Sequence, residues 1–297
     1  MKSFLKENDH VVGYIFILPF IVGFLIFTVY PILSSLYFSF TDYDLLSTPR
    51  WVGFANYQKM FTEDDKIIQS LKVTLLYVFT SVPARLIIAL LVAMLLNVAA
   101  RGVAVYRAIY YLPSLIGGSV AVSIMWRQIF GDKGLLNALL AIIGIHTDIS
   151  WIGYPATALS TLILLSVWQF GSSMLIFLAG LKNIPASYYE AASVDGAGPI
   201  RKFFNITLPM LSPIILFNLI LQTISGFLTF TPAYIISNGE GGPLGHTLLY
   251  SLYLFHRAFV FFEMGYASAM AWVMLLIIGV ITLIIFKTSK YWVHYEN

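Results

Sequence analysis

The residues whose types and spacing could do chemistry sit in a polar island in the middle of an otherwise apolar sequence. Glu190-Ala191-Ala192-Ser193-Val194-Asp195-Gly196 is followed, after nine residues, by Ile206-Thr207-Leu208-Pro209. On either side, Ile149 to Leu181 and Phe203 to Gly239 carry no charge, whereas the island holds Lys182, Glu190, Asp195, Arg201 and Lys202. The pattern predicts two short helices. Asn183 is placed to cap the first, with Pro185 in its first turn, where a missing N–H costs nothing. Gly196 allows a left-handed exit, and Pro199 opens the second helix after Gly198. Two alanines beside a Glu leave a close-fitting surface with one charge aimed outward. The chemistry is that of recognition: a plug for a groove on another protein, with Glu190 able to pair a basic residue there.

A second set of polar groups lies within the apolar segments. Ser166, Trp168, Gln169, Ser172 and Ser173 precede the island, and Asn218, Gln222, Thr223, Ser225, Thr229 and Phe230 follow it. In a bilayer such amides and hydroxyls cost energy unless they meet partners or a wet cavity. They either line a path for a polar solute or tie helices together. Arg85, just after Pro83, puts a full charge deep in another apolar segment, where charge is expensive and often functional. It faces an aqueous path, carbonyls freed by Pro83 or a partner chain, or it snorkels to the interface.

The elements that must hold these groups are membrane spans. Of 297 residues, 59% are hydrophobic and 10% charged, against roughly a quarter charged in soluble domains. Mean hydropathy is +0.84. Val11 to Thr41 is uncharged for 31 residues, beyond the 7–15 residues of a signal-peptide core, and reads as an uncleaved first span. Windows of about 20 apolar residues predict six spans, near 12–38, 72–97, 106–128, 156–180, 209–232 and 264–286. The predicted fold is all-α, a single polytopic membrane domain over 1–297 with the island at 182–208 as its main internal loop. If that loop is cytoplasmic, both termini are cytoplasmic too. The inner segments then hold nine Lys/Arg (Lys2, Lys6, Arg101, Arg107, Lys182, Arg201, Lys202, Lys287, Lys290) and the outer ones seven, a small bias in the expected direction.

Glu-Ala-Ala, three residues, Gly, nine residues, Ile, one residue and Leu-Pro resembles the coupling loop of permease subunits in binding-protein-dependent ABC importers. Gly13-Tyr14 through Pro19, Tyr30-Pro31 and Ser39-Phe40-Thr41-Asp42-Tyr43 resemble the first span of the carbohydrate-type, maltose/glycerol-phosphate group. Trp51-Val52-Gly53-Phe54-Ala55-Asn56-Tyr57, Gly241-Gly242-Pro243 and Gly265-Tyr266-Ala267-Ser268-Ala269 are similar to its external segments. The resemblance implies a multi-pass protein of the bacterial plasma (inner) membrane that translocates a carbohydrate, an oligosaccharide by expectation, by alternating access. The implied partners are a second homologous permease, two ATP-binding subunits, an extracytoplasmic solute-binding protein and membrane lipid. Glu190, Ala191, Ala192, Asp195 and Gly196 would form the ATPase-coupling contact. Resemblance to the maltose system places sugar contacts in two windows, which fall on Trp168, Gln169 and Ser173, and on Gln222, Thr223, Phe227 and Phe230. The large external insertion of the larger maltose permease is missing, because only about 25 residues separate spans three and four.

Other chemistry is not supported. No Gly-x-x-x-x-Gly-Lys-Ser/Thr is present, so ATP would be bound by partner chains and no cofactor by this one. There is no cysteine, and the five histidines are scattered without metal-ligand spacing. Asp42-Tyr43-Asp44 reads as a solvated turn, and a net charge of +3 is too small to argue for nucleic acid. A secondary sugar transporter working without an ATPase would show an inverted repeat and ionisable groups at mid-depth. A membrane-embedded transferase would need clustered acids or histidines. Neither pattern is found beyond Arg85.

Overall fold

The computed structural model describes residues 9–98 and 101–294. Lys2 and Lys6, counted above among the inner cations, lie outside the described residues. Four unbroken helices are long and apolar enough to cross a membrane: α1 (Gly13–Ser39), α3 (Asp65–Leu95), α10 (Pro199–Phe227) and α13 (Met264–Ser289). Two further crossings are bent pairs, α4 (Val103–Ile116) with α5 (Val120–Ile129), and α7 (Pro155–Trp168) with α8 (Gly171–Asn183). Shorter helices fill the connections: α2 (Ala55–Thr62), α6 (Leu135–Ile142), α9 (Ala186–Val194), α11 (Thr231–Ile236) and α12 (Tyr250–Phe255). Apart from these, Thr41–Asp42 and Arg50–Trp51 pair as a two-residue antiparallel ribbon, with Thr41 opposite Trp51 and Asp42 opposite Arg50.

The described chain falls into two compact units. The first is Met1–Asp64 with Leu254–Leu275, and the second is Asp65–Tyr253 with Leu276–Asn297. In the first, α1 leaves its apolar side chains open all round, as with Phe16 and Phe27, and Ser39 is its only buried residue among those described. A helix apolar on every side is matched to lipid or to another chain. Beyond α1 the chain is pinned by Asn56, whose amide donates to the carbonyls of Ser39 (3.0 Å) and Thr41 (2.9 Å). Asp64 is buried and accepts from Arg257 (2.8 Å) and from the Tyr266 hydroxyl (2.7 Å). Glu263 joins Arg257 (2.9 Å) to Lys59 (3.1 Å). Nearby, Asp44 accepts from Ser47 and Leu46 in a tight exposed turn, and the bond from the Ser47 hydroxyl is the main cause holding its carboxyl below the usual range.

The second unit is built around α3, which packs on α7, α8 and α10. Its 31 residues rise about 46 Å, more than the ~30 Å hydrocarbon core. The buried face runs Ser70, Thr74, Tyr77, Ser81, Ala89 and Ala93, and the opposite face exposes Leu76, Phe79, Ile87 and Leu91. Small residues on the buried side let the neighbouring backbones approach, which is how helices associate where lipid is as apolar as leucine. Two of the hydroxyls there return to their own helix: Ser70 bonds the Ile67 carbonyl at 2.9 Å and Thr74 that of Ser70 at 2.8 Å, whereas that of Ser81 has no partner among the described residues.

The two bent crossings depart from the straight spans expected over 106–128 and 156–180. Between α4 and α5 the chain turns by 98°. Gly117-Gly118 supplies the corner, and Ser119 caps α5 by accepting from the Val122 N–H at 3.3 Å. Between α7 and α8 the bend is 41° at Gln169-Phe170. The two breaks lie side by side. The Ser114 hydroxyl donates to the Gln169 carbonyl (3.2 Å) and accepts from the Ser172 N–H (2.9 Å), so one side chain satisfies both freed backbone groups. Gly171 makes this possible, since a Cβ there would overlap the Tyr110 carbonyl.

Candidate functional site

Around the two breaks lies a cavity of about 280 Å³ whose wall includes Arg85, Gly118, Ser166, Gln169, Gln222 and Phe230. Arg85 projects from α3 ten residues before its end, about 15 Å along the axis and inside the apolar stretch of the helix. Its Nε donates to the Ser166 carbonyl (2.6 Å) and its Nη2 to the Ser166 hydroxyl (2.8 Å). Its Nη1 donates to Gln222 Oε1. The Ser166 carbonyl belongs to the last turn of α7, where the bend frees acceptors and the helix dipole favours a cation. Of the fates open to Arg85 from sequence, the structure takes the cavity, where the guanidinium bonds Ser166 and Gln222.

Of the residues expected along a solute path, Gln169, Gln222 and Phe230 are together on this wall. The other four sit elsewhere. Trp168 turns toward Trp126, with ring centroids 5.8 Å apart. Ser173 is buried, and its hydroxyl has no partner among the described residues. Thr223 lines a separate apolar groove with Val78, Leu219 and Ile281. Phe227 is packed in the core at 1% exposure. The reason is helical geometry: from Gln222, positions 223 and 227 rotate off the face that carries 222, 225, 226 and 229. Sequence reasoning had not named Gly118, Leu162 and Leu165 as wall residues; the Gly117-Gly118 pair inside an expected span was the available signal of a break.

The polar island forms a second site. α9 starts at Ala186, with Pro185 in the capping position (φ −60°, ψ 134°) and without a side-chain cap. Asn183, expected to cap it, is instead the last residue of α8. The residue before a proline is driven out of the helical region, so Ile184 is extended (ψ 120°) and the helix cannot begin before Pro185. At the other end Gly196 is left-handed (φ +73°), and the Ala197 N–H closes on the Ala192 carbonyl at 2.8 Å. This is the double closure that ends helices at a glycine. Tyr189 bonds Thr207 at 2.9 Å, and Lys202 donates to the Ser193 hydroxyl at 2.5 Å, fixing α9 against the start of α10. Glu190, Ala191, Asp195 and Gly196 are exposed, Ala192 is half-buried, and Glu190 has no ion pair among the described residues. Beside them Val194 (88% exposed) and Ile200 (76%) present apolar side chains that the motif does not flag. The second short helix of the island is not separate: Pro199 opens α10, which runs on through a wide turn at Phe203–Thr207 to Phe227.

Comparison with known proteins decides what this arrangement belongs to. Residues 64–290 match the model of the family described as "Binding-protein-dependent transport system inner membrane component". The chain belongs to that family. Its relatives include the "Probable ABC transporter permease protein YesP" of Bacillus subtilis (strain 168), 66% identical over 100% of this chain and 96% of the relative. The "Arabinooligosaccharides transport system permease protein AraP" of the same organism is 35% identical, covering 93% of this chain and 88% of its own. In fold, the permease resembles a chain of a bacterial ABC transporter involved in import of the acidic polysaccharide alginate (TM-score 0.76, 23% identity, 97% and 98% covered). It is therefore an all-helical, multi-pass membrane permease of ABC import systems, and the secondary-transporter and transferase readings are left without support.

Proposed function

We propose that this permease carries a carbohydrate, presented by an extracytoplasmic binding protein, through the cavity beside Arg85, and that two ATP-binding subunits drive it by docking on α9. The observation that carries this reading is the continuity of α10. One end is the polar island, and 23 residues on, about 35 Å along the axis, Gln222 stands on the cavity wall. A displacement applied at the island is transmitted by hydrogen-bonded helix rather than by a loop. α8 links the same two places from the other side, from the break at Gln169 to Asn183.

Glu190, Ala191, Ala192, Asp195 and Gly196 are the proposed contact, with Val194 and Ile200 as apolar anchors beside them. An exposed carboxylate with no internal partner suits a basic residue in the receiving groove. Gln169, Gln222 and Phe230 are the proposed solute contacts, since amides serve sugar hydroxyls and an aromatic ring serves a C–H face. The other named path residues, Trp168, Ser173, Thr223 and Phe227, then act from behind that wall. Support for a carbohydrate comes from relatives such as the arabinooligosaccharide permease. In this reading the complex also holds a second permease, ATP is bound only by the partner chains, and the island and both termini face the cytoplasm of a bacterial inner membrane.

Charge reversal tests the coupling. In the reconstituted complex, Glu190→Lys should leave membrane insertion intact while ATP hydrolysis no longer drives uptake, lowering solute moved per ATP at least tenfold, the loss of one charge-assisted bond. Unchanged uptake would remove α9 from the coupling path.

A further inference from the structure

Arg85 and Gln222 together make the cavity wall rich in hydrogen-bond donors. A guanidinium carries five N–H groups. Three are engaged, by the Ser166 carbonyl, the Ser166 hydroxyl and Gln222 Oε1, which leaves two without a partner among the described residues. Because Gln222 spends its oxygen on Arg85, its Nε2 amide is left with both N–H groups and no described partner. The partners of Arg85 are all neutral, and no aspartate or glutamate lines the cavity. The guanidinium charge therefore lies within an apolar span with no carboxylate among the described residues of the cavity wall. The backbone here presents both signs: α5 and α8 begin just after Gly118 and Gln169, while the last turn of α7 offers Arg85 the Ser166 carbonyl.

We propose that Arg85, positioned by Ser166 and Gln222, selects saccharides that carry an oxyanion, a uronic-acid carboxylate above all, over their neutral counterparts. This rests on the carbohydrate reading given above and narrows it. A planar guanidinium is matched to a carboxylate or phosphate and not to a sugar hydroxyl, and a charge-assisted pair in a dry site is the strong kind of hydrogen bond. A purely structural Arg85, joining α3 to α7 and α10, would be indifferent to the charge of the solute. At about 280 Å³ the cavity is at the small end of the ~300–1,000 Å³ of ligand sites, which suits a short saccharide or the acidic end of a longer one.

The test is equilibrium binding to the assembled membrane complex, purified without its binding protein. The probes are a panel of uronic-acid disaccharides of different ring stereochemistry, each paired with its methyl ester, together with a hexose phosphate. At least one acid should bind about tenfold more tightly than its own ester, and the preference should fall to near unity in Arg85→Gln and be partly kept in Arg85→Lys. A preference for the hexose phosphate over all the uronates that is likewise lost in Arg85→Gln would still support an oxyanion site and reassign its source. Esters bound as tightly as acids across the panel, with no preference for the phosphate, would overturn the assignment. So would a preference that survives in Arg85→Gln. If Arg85→Gln fails to assemble, the acid-to-ester ratio of the unmodified complex still decides. Binding of no saccharide in any form would overturn the carbohydrate reading itself, and this assignment with it.

Discussion

At the scale of single residues, the groups that matter are polar side chains whose partners lie far away in sequence. Arg85 meets Ser166 and Gln222, and Asp64 meets Arg257 and Tyr266. In the cavity, Gln169→Ala and Gln222→Ala should each lower the uptake rate or raise the half-saturating solute concentration, with Gln222→Ala the larger because it also frees Arg85. Wild-type values for both variants would remove these amides from the path. Asp64 is a separate matter, of stability. Its side chain is 4% exposed and that of Arg257 18%. Asp64→Asn leaves a buried cation half-paired and should cost about 3 kcal/mol, read as a lower unfolding midpoint of the complex in detergent. An unshifted midpoint would mean that Glu263 alone suffices for Arg257. Sequence showed that Arg85 was anomalous but not what it touched, because hydrogen-bond partners at separations of 81 and 137 residues leave no local pattern. Family membership was legible because the spacing that carries the resemblance is contained in one loop.

At the scale of elements, hydropathy locates membrane crossings well and their shape poorly. Six apolar stretches are visible, yet two of them are bent, by 98° and 41°. Bends are set by where Gly117, Gly171 and Ser114 meet across helices, and averaging over some twenty residues erases them. The same averaging hides that α10 begins at Pro199 instead of 209, since a helix carries no mark where water ends and lipid begins. Asn183 was misread for a more local reason: it is a good capping residue, but the Ile184-Pro185 pair moves the helix start past it. The bend at Gln169 is testable. Gly171→Val would drive side-chain atoms into the Tyr110 carbonyl and the Ser114 hydroxyl, so the α4–α8 contact should open. Overpacking of this kind costs about 1–3 kcal/mol, to be seen as reduced yield of folded complex and faster proteolysis near Gln169. A variant that assembled and transported normally would show that the close approach is dispensable.

At the scale of the whole molecule, the proposed solute cavity and the proposed docking surface lie toward opposite ends of one continuous helix, α10. The cavity holds donors and a fixed positive charge, and the island holds the exposed carboxylate of Glu190, without an ion pair among the described residues, and exposed apolar groups. In the proposed reading the work comes from ATP-binding partner chains. The most direct test is solute uptake into proteoliposomes with and without the ATP-binding subunits and ATP. Uptake should appear only when the two permeases, the ATPase pair, the binding protein and ATP are all present, and should stop when ATP is replaced by a non-hydrolysable analogue. Sustained uptake by this permease with no ATPase in the vesicle would contradict the account.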